Sequence, residues 1–234
     1  MLADPDCLGN LPRNAAQSLF DPQFWRARGE LLAVTGGRGS AWFIESDARH
    51  WVLRHYRRGG FIARLSPDGY VWAGEDRVRA FAEWRLLDAL AGRGLAVPKP
   101  VAARYQRAGL WYRCDLITQR IVDARPLSAA LAAGALPESQ WRAVGAAIAR
   151  LHRAGLDHAD LNAHNILIED RGLIDGKGAV SVIDLDRGRL RAPGAWTLRN
   201  LRRLRRSLAK ISPELPPGRY AEGNWRWLMA GYEA

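Results

Sequence analysis

His158-Ala-Asp-Leu-Asn-Ala-His-Asn165, followed by Val182-Ile-Asp-Leu-Asp186, is the stretch that decides how this chain folds and what chemistry it can carry. Transfer of a phosphoryl group requires a carboxylate to orient the acceptor hydroxyl, an amide to help hold magnesium, and a second carboxylate on the metal that bridges the phosphates. Asp160, Asn165 and Asp184 supply those groups in that order.

The spacing carries more than any single residue. A histidine two positions before an aspartate, with an asparagine five positions after it, reproduces the H-x-D-x-x-x-x-N frame of kinase catalytic loops. The apolar run Ala179-Val-Ser-Val-Ile183 predicts a short strand that ends at Asp184, and Ile166-Leu-Ile168 predicts its hairpin partner. On this reading Asp160 is the catalytic acid/base, Asn165 and Asp184 are magnesium ligands, and His158 braces the loop by hydrogen bonding. Asp186 is either a metal auxiliary or a turn residue. Asn162 stands where many kinases place a phosphate-contacting lysine, so cationic help for the transferring group must come from elsewhere.

Working outward, Pro137–Arg153 predicts a helix with Trp141, Val144, Ile148 and Leu151 on one side, delivering the chain to the catalytic loop. Toward the N-terminus, Asp21 and Pro22 read as the cap and first residue of a short helix. Segments 31–35, 41–45, 50–56, 97–105 and 110–118 read as five strands, with a helix over 76–90 between the third and fourth. Toward the C-terminus, 196–211 and 224–229 read as helices separated by the break at Pro213, Pro216 and Pro217. In the first of these, Leu198, Leu201, Leu204 and Leu208 are expected on one side, and Arg199, Arg202, Arg203, Arg205 and Arg206 around the rest.

The expected fold class is therefore α+β, protein-kinase-like and bilobal: a small lobe (1–120) with a five-stranded antiparallel sheet plus one helix, and a large, mostly helical lobe (121–234). Within the small lobe, Trp51-Val-Leu-Arg54 aligns with the kinase strand that carries a phosphate-contacting lysine, so Arg54 is the candidate phosphate contact and Glu83 its partner. Solvated surface charges are the competing reading of that pair. Gly37-Arg-Gly39 sits where backbone amides could cover a triphosphate. The basic turn containing Arg57, Arg58, Gly59, Gly60 and Arg64 could approach an anionic acceptor, or could be a solvated loop. ATP and magnesium are the implied cofactors.

The chain has 234 residues and a formal charge of +11, and its only lysines are Lys99, Lys177 and Lys210. Such an arginine-dominated balance favours polyanionic partners: nucleic acid, an anionic membrane surface, or a phosphorylated or carboxylated substrate. No apolar run reaches the roughly 18 residues of a transmembrane helix, and the start lacks the basic and apolar regions of a secretory signal, so the expected location is cytoplasmic. Cys7 and Cys114 are far apart with no metal-ligand spacing, and are expected as thiols in a reducing compartment.

Val52-Leu-Arg-His-Tyr-Arg-Arg-Gly-Gly60, Phe81-Ala-Glu-Trp-Arg-Leu-Leu87, Val97-Pro-Lys-Pro100, His158 through Leu167, Ile183-Asp-Leu-Asp-Arg187 and Asn200 through Leu208 together resemble the Kdo (3-deoxy-D-manno-octulosonic acid) kinase family of lipopolysaccharide-core sugar kinases. The resemblance covers most of the chain. It implies ATP-dependent phosphorylation of the 4-hydroxyl of a Kdo residue on a lipid A precursor, at the cytoplasmic face of the bacterial inner membrane. A Kdo-bearing lipid A precursor and an anionic membrane surface, contacted peripherally, are then the expected partners, with no nucleic acid. Another acceptor, such as a core heptose or a small soluble alcohol, remains an alternative, as does a non-catalytic basic protein that binds nucleic acid or lipid.

Overall fold

A computed structural model describes residues 1–5, 17–32, 40–46, 49–57, 68–170 and 179–234. Two compact units emerge, Met1–Asp88 with Lys99–Ile121, and Ala89–Pro98 with Val122–Ala234. The chain thus crosses from one to the other three times, and the segment around Pro98 belongs to the second unit even though strands of the first follow it.

The first unit is built on an antiparallel sheet. Its strands are β1 (Leu2–Ala3), β2 (Leu31–Leu32), β3 (Ser40–Ser46), β4 (Arg49–His55), β5 (Tyr70–Val71), β6 (Pro100–Ala108) and β7 (Trp111–Gln119). The order across the sheet is β1-β6-β7-β4-β3-β2, with β5 also paired to β7. Five of these correspond to the strands expected from sequence. The short β1 and β5 carry too few residues to show a period of two, which is why they were not foreseen.

Alternation along β4 assigns its side chains to two faces. Trp51 and Leu53 point into a core shared with Leu19, Phe20, Trp25, Ile44 and Ile117. Trp25 comes from helix α1 (Pro22–Ala27), whose N-cap Asp21 accepts from the Gln23 amide at 2.8 Å as the sequence predicts. Arg54 therefore belongs to the opposite face. Helix α2 (Arg79–Ala91) supplies its neighbour there, Glu83.

The second unit is mainly helical: α3 (Leu127–Ala133), α4 (Glu138–Arg153), α5 (Trp196–Ile211) and α6 (Glu222–Glu233). Its short strands are β8 (Ala124–Pro126), β9 (Leu156–Asp157), β10 (Ile166–Glu169), β11 (Val180–Val182) and β12 (Arg189–Leu190). β10 and β11 form the expected antiparallel hairpin, with Ile166 opposite Val182. Residues 124–126 form a further strand, paired with β10.

Apolar residues recurring every three or four positions make α4 the core helix of this unit. Trp141, Val144, Ile148 and Leu151 are all buried. At its end Gly155 has φ of 90°, a left-handed conformation open to glycine without a Cβ penalty, and a Cβ there would meet the Arg191 carbonyl at 2.7 Å. The sharp turn sends the chain through β9 straight into the catalytic loop.

On α5, Leu201, Leu204 and Leu208 are buried as expected, but Leu198 is 54 % exposed. Trp196 occupies the buried position in the first turn instead, with its indole N–H donating to the Ala192 carbonyl at 2.7 Å. A full-size aromatic one half-turn earlier leaves Leu198 on the outer side.

Helices α4 and α6 meet through glycines. A Cβ on Gly145 would lie 2.0 Å from the Leu228 carbonyl oxygen, and one on Gly231 would lie 2.1 Å from that of Arg142. The obstructing atoms are backbone, so neither contact is relieved by a rotamer change. G145A should therefore destabilise the protein by roughly 1–3 kcal/mol, the usual range for overpacking. Urea denaturation reads this directly, and an unchanged midpoint would mean that the helices do not approach through these glycines.

Candidate active site

The catalytic loop runs from the end of β9 to the start of β10, and its shape is set by one buried imidazole. His158 is 2 % exposed. Its Nε2 lies 3.1 Å from the Ile183 carbonyl, which can only accept, so the ring hydrogen is on Nε2. Nδ1 then accepts the Asp160 backbone N–H at 3.1 Å. Both nitrogens are spent on backbone, one on the loop and one on the residue before Asp184. His158 is thus a brace, as its position in the frame suggested.

The same two segments are joined again by the Ile183 amide, which donates to the Asn165 carbonyl at 2.9 Å. The Asn165 carboxamide nitrogen donates to the Asp160 carbonyl at 3.0 Å. This turns the carboxamide oxygen away from that carbonyl, and no hydrogen-bond donor among the described residues reaches it. The structure therefore brings together the loop bearing Asp160 and Asn165 and the strand end bearing Asp184. Asp184 has φ of 61°, a left-handed conformation that is uncommon outside glycine. Arg187 has the same value and Gly188 donates to the Leu185 carbonyl at 2.7 Å, so Asp186 sits within a tight turn.

These groups suit magnesium. It takes oxygen ligands, keeps several waters and needs only one or two protein groups alongside substrate phosphates. The Asn165 amide and the Asp184 carboxylate, carried by segments joined through their backbones, are oxygen-bearing groups of that kind. Among the described residues no group of three His, Cys, Asp or Glu side chains gathers in metal-holding geometry, as a dedicated all-protein site would require.

Asp160 is held differently from the rest. Its side chain is 54 % exposed, Asn162 donates to Oδ2 at 3.1 Å, and Arg203 donates to Oδ1 at 2.6 Å. Arg203 comes from α5, which is fastened along the loop. Asn200 accepts the His158 amide and donates to the Asp157 carboxylate, each at 2.9 Å, and the Ser207 hydroxyl accepts the Ala163 amide at 3.1 Å. Arg191 and Arg199 complete the set on Asp157, each at 3.0 Å, and together with Asn200 they hold its carboxyl below the usual range against the opposing effect of burial.

None of Asn200, Arg203 and Ser207 was recognised from sequence as part of the site. Their signal is the i, i+3, i+7 spacing, which places three polar side chains on one stripe of a helix whose neighbouring stripe is leucine.

In the first unit, the Arg54 Nη1 donates to Glu83 Oε1 at 2.8 Å, and the Tyr56 hydroxyl donates to Oε2. The Glu83 side chain is 1 % exposed, which rules out the reading of solvated surface charges. A carboxylate so buried depends on its partners, since an unpaired buried charge costs several kcal/mol. Gly37 and Gly39, the candidate phosphate cover, lie outside the described residues, as do Cys7, Lys177 and the turn containing Arg58, Gly59, Gly60 and Arg64. Cys114 is buried in the first unit, and Arg57 is exposed.

An antiparallel sheet with one internal helix, a helical unit, and a histidine-braced loop presenting Asp160 and Asn165 beside Asp184 define a protein-kinase-like phosphotransferase fold. The solved structure titled "WaaP in complex with acyl carrier protein" shares it, with a TM-score of 0.59 over 93 % of this chain and 85 % of that one at 18 % identity.

The chain belongs to the lipopolysaccharide kinase (Kdo/WaaP) family, whose model matches residues 22–232. Proteins named 3-deoxy-D-manno-octulosonic acid kinase from Stenotrophomonas maltophilia (strain K279a) and Xanthomonas axonopodis pv. citri (strain 306) are each 50 % identical to it, over 204 and 202 residues. These alignments span 86 % and 85 % of this chain and 78 % and 77 % of the relatives. The protein is accordingly a phosphotransferase acting on a hydroxyl acceptor.

Two buried histidines of this unit give stability a pH dependence of known sign. Burial lowers the His158 pKa, and it lowers that of His152, which contacts Tyr232 at the end of α4, to about 4. Above pH 6.5 both the folded and unfolded states are neutral at these rings. Below it the unfolded chain takes up protons that the folded chain refuses, so stability falls with pH until the folded value is passed. For His152 the full loss is about 3 kcal/mol. Urea midpoints between pH 6.5 and 5 should decline for the parent and decline less for H152Q; equal slopes would show that His152 does not remain neutral.

Proposed function

We propose that this protein uses ATP and magnesium to phosphorylate the 4-hydroxyl of a Kdo residue on a lipid A precursor, during lipopolysaccharide core synthesis. Two things support the acceptor: membership of the Kdo/WaaP family and 50 % identity with relatives named for Kdo. The reaction is supported above all by the His158 brace, which connects the Asp160 backbone to the carbonyl preceding Asp184.

In this reading the Asp160 carboxylate accepts the hydrogen bond of the acceptor hydroxyl, aims its oxygen at the γ-phosphorus, and receives the proton as the new bond forms. Asn165 and Asp184 would hold magnesium, whose charge would offset that of the phosphates. Asn165 is pre-aimed by its bond to the Asp160 carbonyl, so ligand and base cannot move independently. Arg54, fixed by Glu83, contacts nucleotide phosphate in place of the usual lysine, and Gly37 and Gly39 offer backbone amides to it. The first unit thereby serves the nucleotide, and residues 121–234 carry the transfer chemistry and the acceptor.

Charge and location fit this acceptor. Kdo carries a carboxylate and lipid A phosphates, both of which suit a chain of net charge +11. Among the described residues no helix is long and apolar enough to cross a membrane. Peripheral attachment at the cytoplasmic face of the inner membrane follows as part of the proposal.

Incubation with ATP and either a Kdo-bearing lipid A precursor or a heptosylated core, with mass detection of the product, tests the acceptor. A mass gain of one phosphoryl group on the Kdo-bearing precursor is expected; labelling of the heptosylated core alone overturns the choice. In the same assay D160A should lose at least about a hundredfold in turnover, the lower range for removal of a general acid/base, while keeping its nucleotide affinity. Near-normal turnover in D160A would remove that residue from the chemistry. Nucleotide binding to D184A should no longer respond to magnesium, and an undiminished magnesium response would free Asp184 of its metal role.

A further inference from the structure

Among the described residues Arg203 brings a cation to the Asp160 carboxylate, and the loop 158–165 itself contains no arginine or lysine. The place that a lysine occupies in many kinases is held by Asn162, an amide that donates to the Asp160 carbonyl and to Oδ2 and accepts from the His164 amide. Its hydrogen bonds are local, and it brings no positive charge. Arg203 meanwhile lies 2.6 Å from the other Asp160 oxygen.

Its placement is not that of a freely rotating surface arginine. Three residues before it, Asn200 is 3 % exposed and bound to both the His158 amide and Asp157; four residues after it, Ser207 receives the Ala163 amide. The helix segment bearing Arg203 is therefore fixed to the loop on either side of it. The guanidinium itself is about half exposed, with donors beyond the one that Asp160 uses.

We propose that Arg203 is a catalytic residue of the phosphoryl transfer, supplying from helix α5 the positive charge that the loop lacks at Asn162. This rests on the kinase reading above. The acceptor oxygen bonds to the γ-phosphorus while the bond from that phosphorus to the bridging oxygen breaks, its electron pair leaving with ADP, and the hydroxyl proton passes to Asp160. The three peripheral oxygens of the group in flight carry negative charge within reach of whatever touches Asp160, since Asp160 is bound to the attacking oxygen. A guanidinium already bonded to that carboxylate offers its remaining N–H groups to those oxygens. Its planar fork lets it hold the carboxylate and a phosphoryl oxygen at once, which a point-charge ammonium does less well.

The test is steady-state kinetics of R203M and R203K against the parent, with both Kdo-bearing lipid acceptor transfer and slow ATP hydrolysis by water measured. R203M is expected to lose on the order of a hundredfold or more in kcat for both reactions, with the KM for acceptor within about threefold of the parent. R203K should recover part of the loss. Guanidinium ion added to R203A at concentrations below those that unfold it should restore measurable turnover, a response that a merely structural role would not give. A raised acceptor KM with unchanged kcat overturns the proposal, because Arg203 would then be an anchor for the acceptor's anionic groups. Unchanged kinetics overturns it as well, leaving a surface ion pair. An R203A protein with a lower melting temperature and no guanidinium rescue does so too, assigning Arg203 to structure. If the parent itself transfers no phosphate, the kinase reading fails first and is recognised separately.

Discussion

A neutral, buried imidazole ties the loop that carries Asp160 to the strand end that carries Asp184. His158 can do this only because one nitrogen faces a carbonyl and the other a backbone amide, and a charged ring would lose the second bond. Burial enforces that state, since desolvation is the largest influence on its proton affinity. The arrangement explains why histidine suits this place: a carboxamide could reach one side but lacks the rigid span between two opposed ring nitrogens. Asp160 and Asp184 owe their placement along the backbone to this link.

Around it the second unit works as a set of nested supports. The tightly apposed pair α4 and α6 sets the core, Gly155 turns the chain out of α4, and β9 pairs with β12 before the loop begins. Helix α5 then lies along the loop with two kinds of surface, leucines toward the core and a polar stripe toward the loop backbone. A helix with this many arginines reads, on its own, as a core-packed element with a solvated exterior. Its Asn200 and Ser207 instead satisfy loop amides that would otherwise be left unpaired, which costs about 1–3 kcal/mol apiece where such groups are buried.

Much of this was legible in the sequence, and the reason is periodicity and spacing. The H-x-D-x-x-x-x-N frame locates the loop, the apolar runs on either side of it give the hairpin of β10 and β11, and the three-and-four recurrence of Trp141, Val144, Ile148 and Leu151 gives α4. The Arg54–Glu83 pair also follows from the alignment of one strand and the next helix, and the burial of Glu83 decides between its two readings. What escaped is of two kinds. Two-residue strands such as β1, β5, β9 and β12 have no pattern to read; β1 and β5 exist because a longer partner, β6 or β7, offers unpaired backbone groups, and β9 and β12 exist by pairing with each other. Leu198 was misplaced because leucine spacing alone does not say which residue fills the first turn, and Trp196, being larger, does so.

Arg203 escaped for a deeper reason. In α5 it is one of several arginines of identical local character, and only the tertiary placement of the helix singles it out. Phase along the helix would have narrowed the choice, since 200, 203 and 207 share a stripe that 202 and 205 do not. Yet phase becomes informative only when another element is known to lie against that stripe, and that element is the loop some forty positions earlier in the chain. The absence of a lysine at Asn162 implies that charge must arrive from somewhere; the docking of α5 through Asn200 and Ser207 determines from where. A charge delivered by a separately anchored helix is coupled to the loop's geometry, so a shift of α5 would alter the electrostatics at Asp160 without changing any residue of the H-x-D-x-x-x-x-N frame.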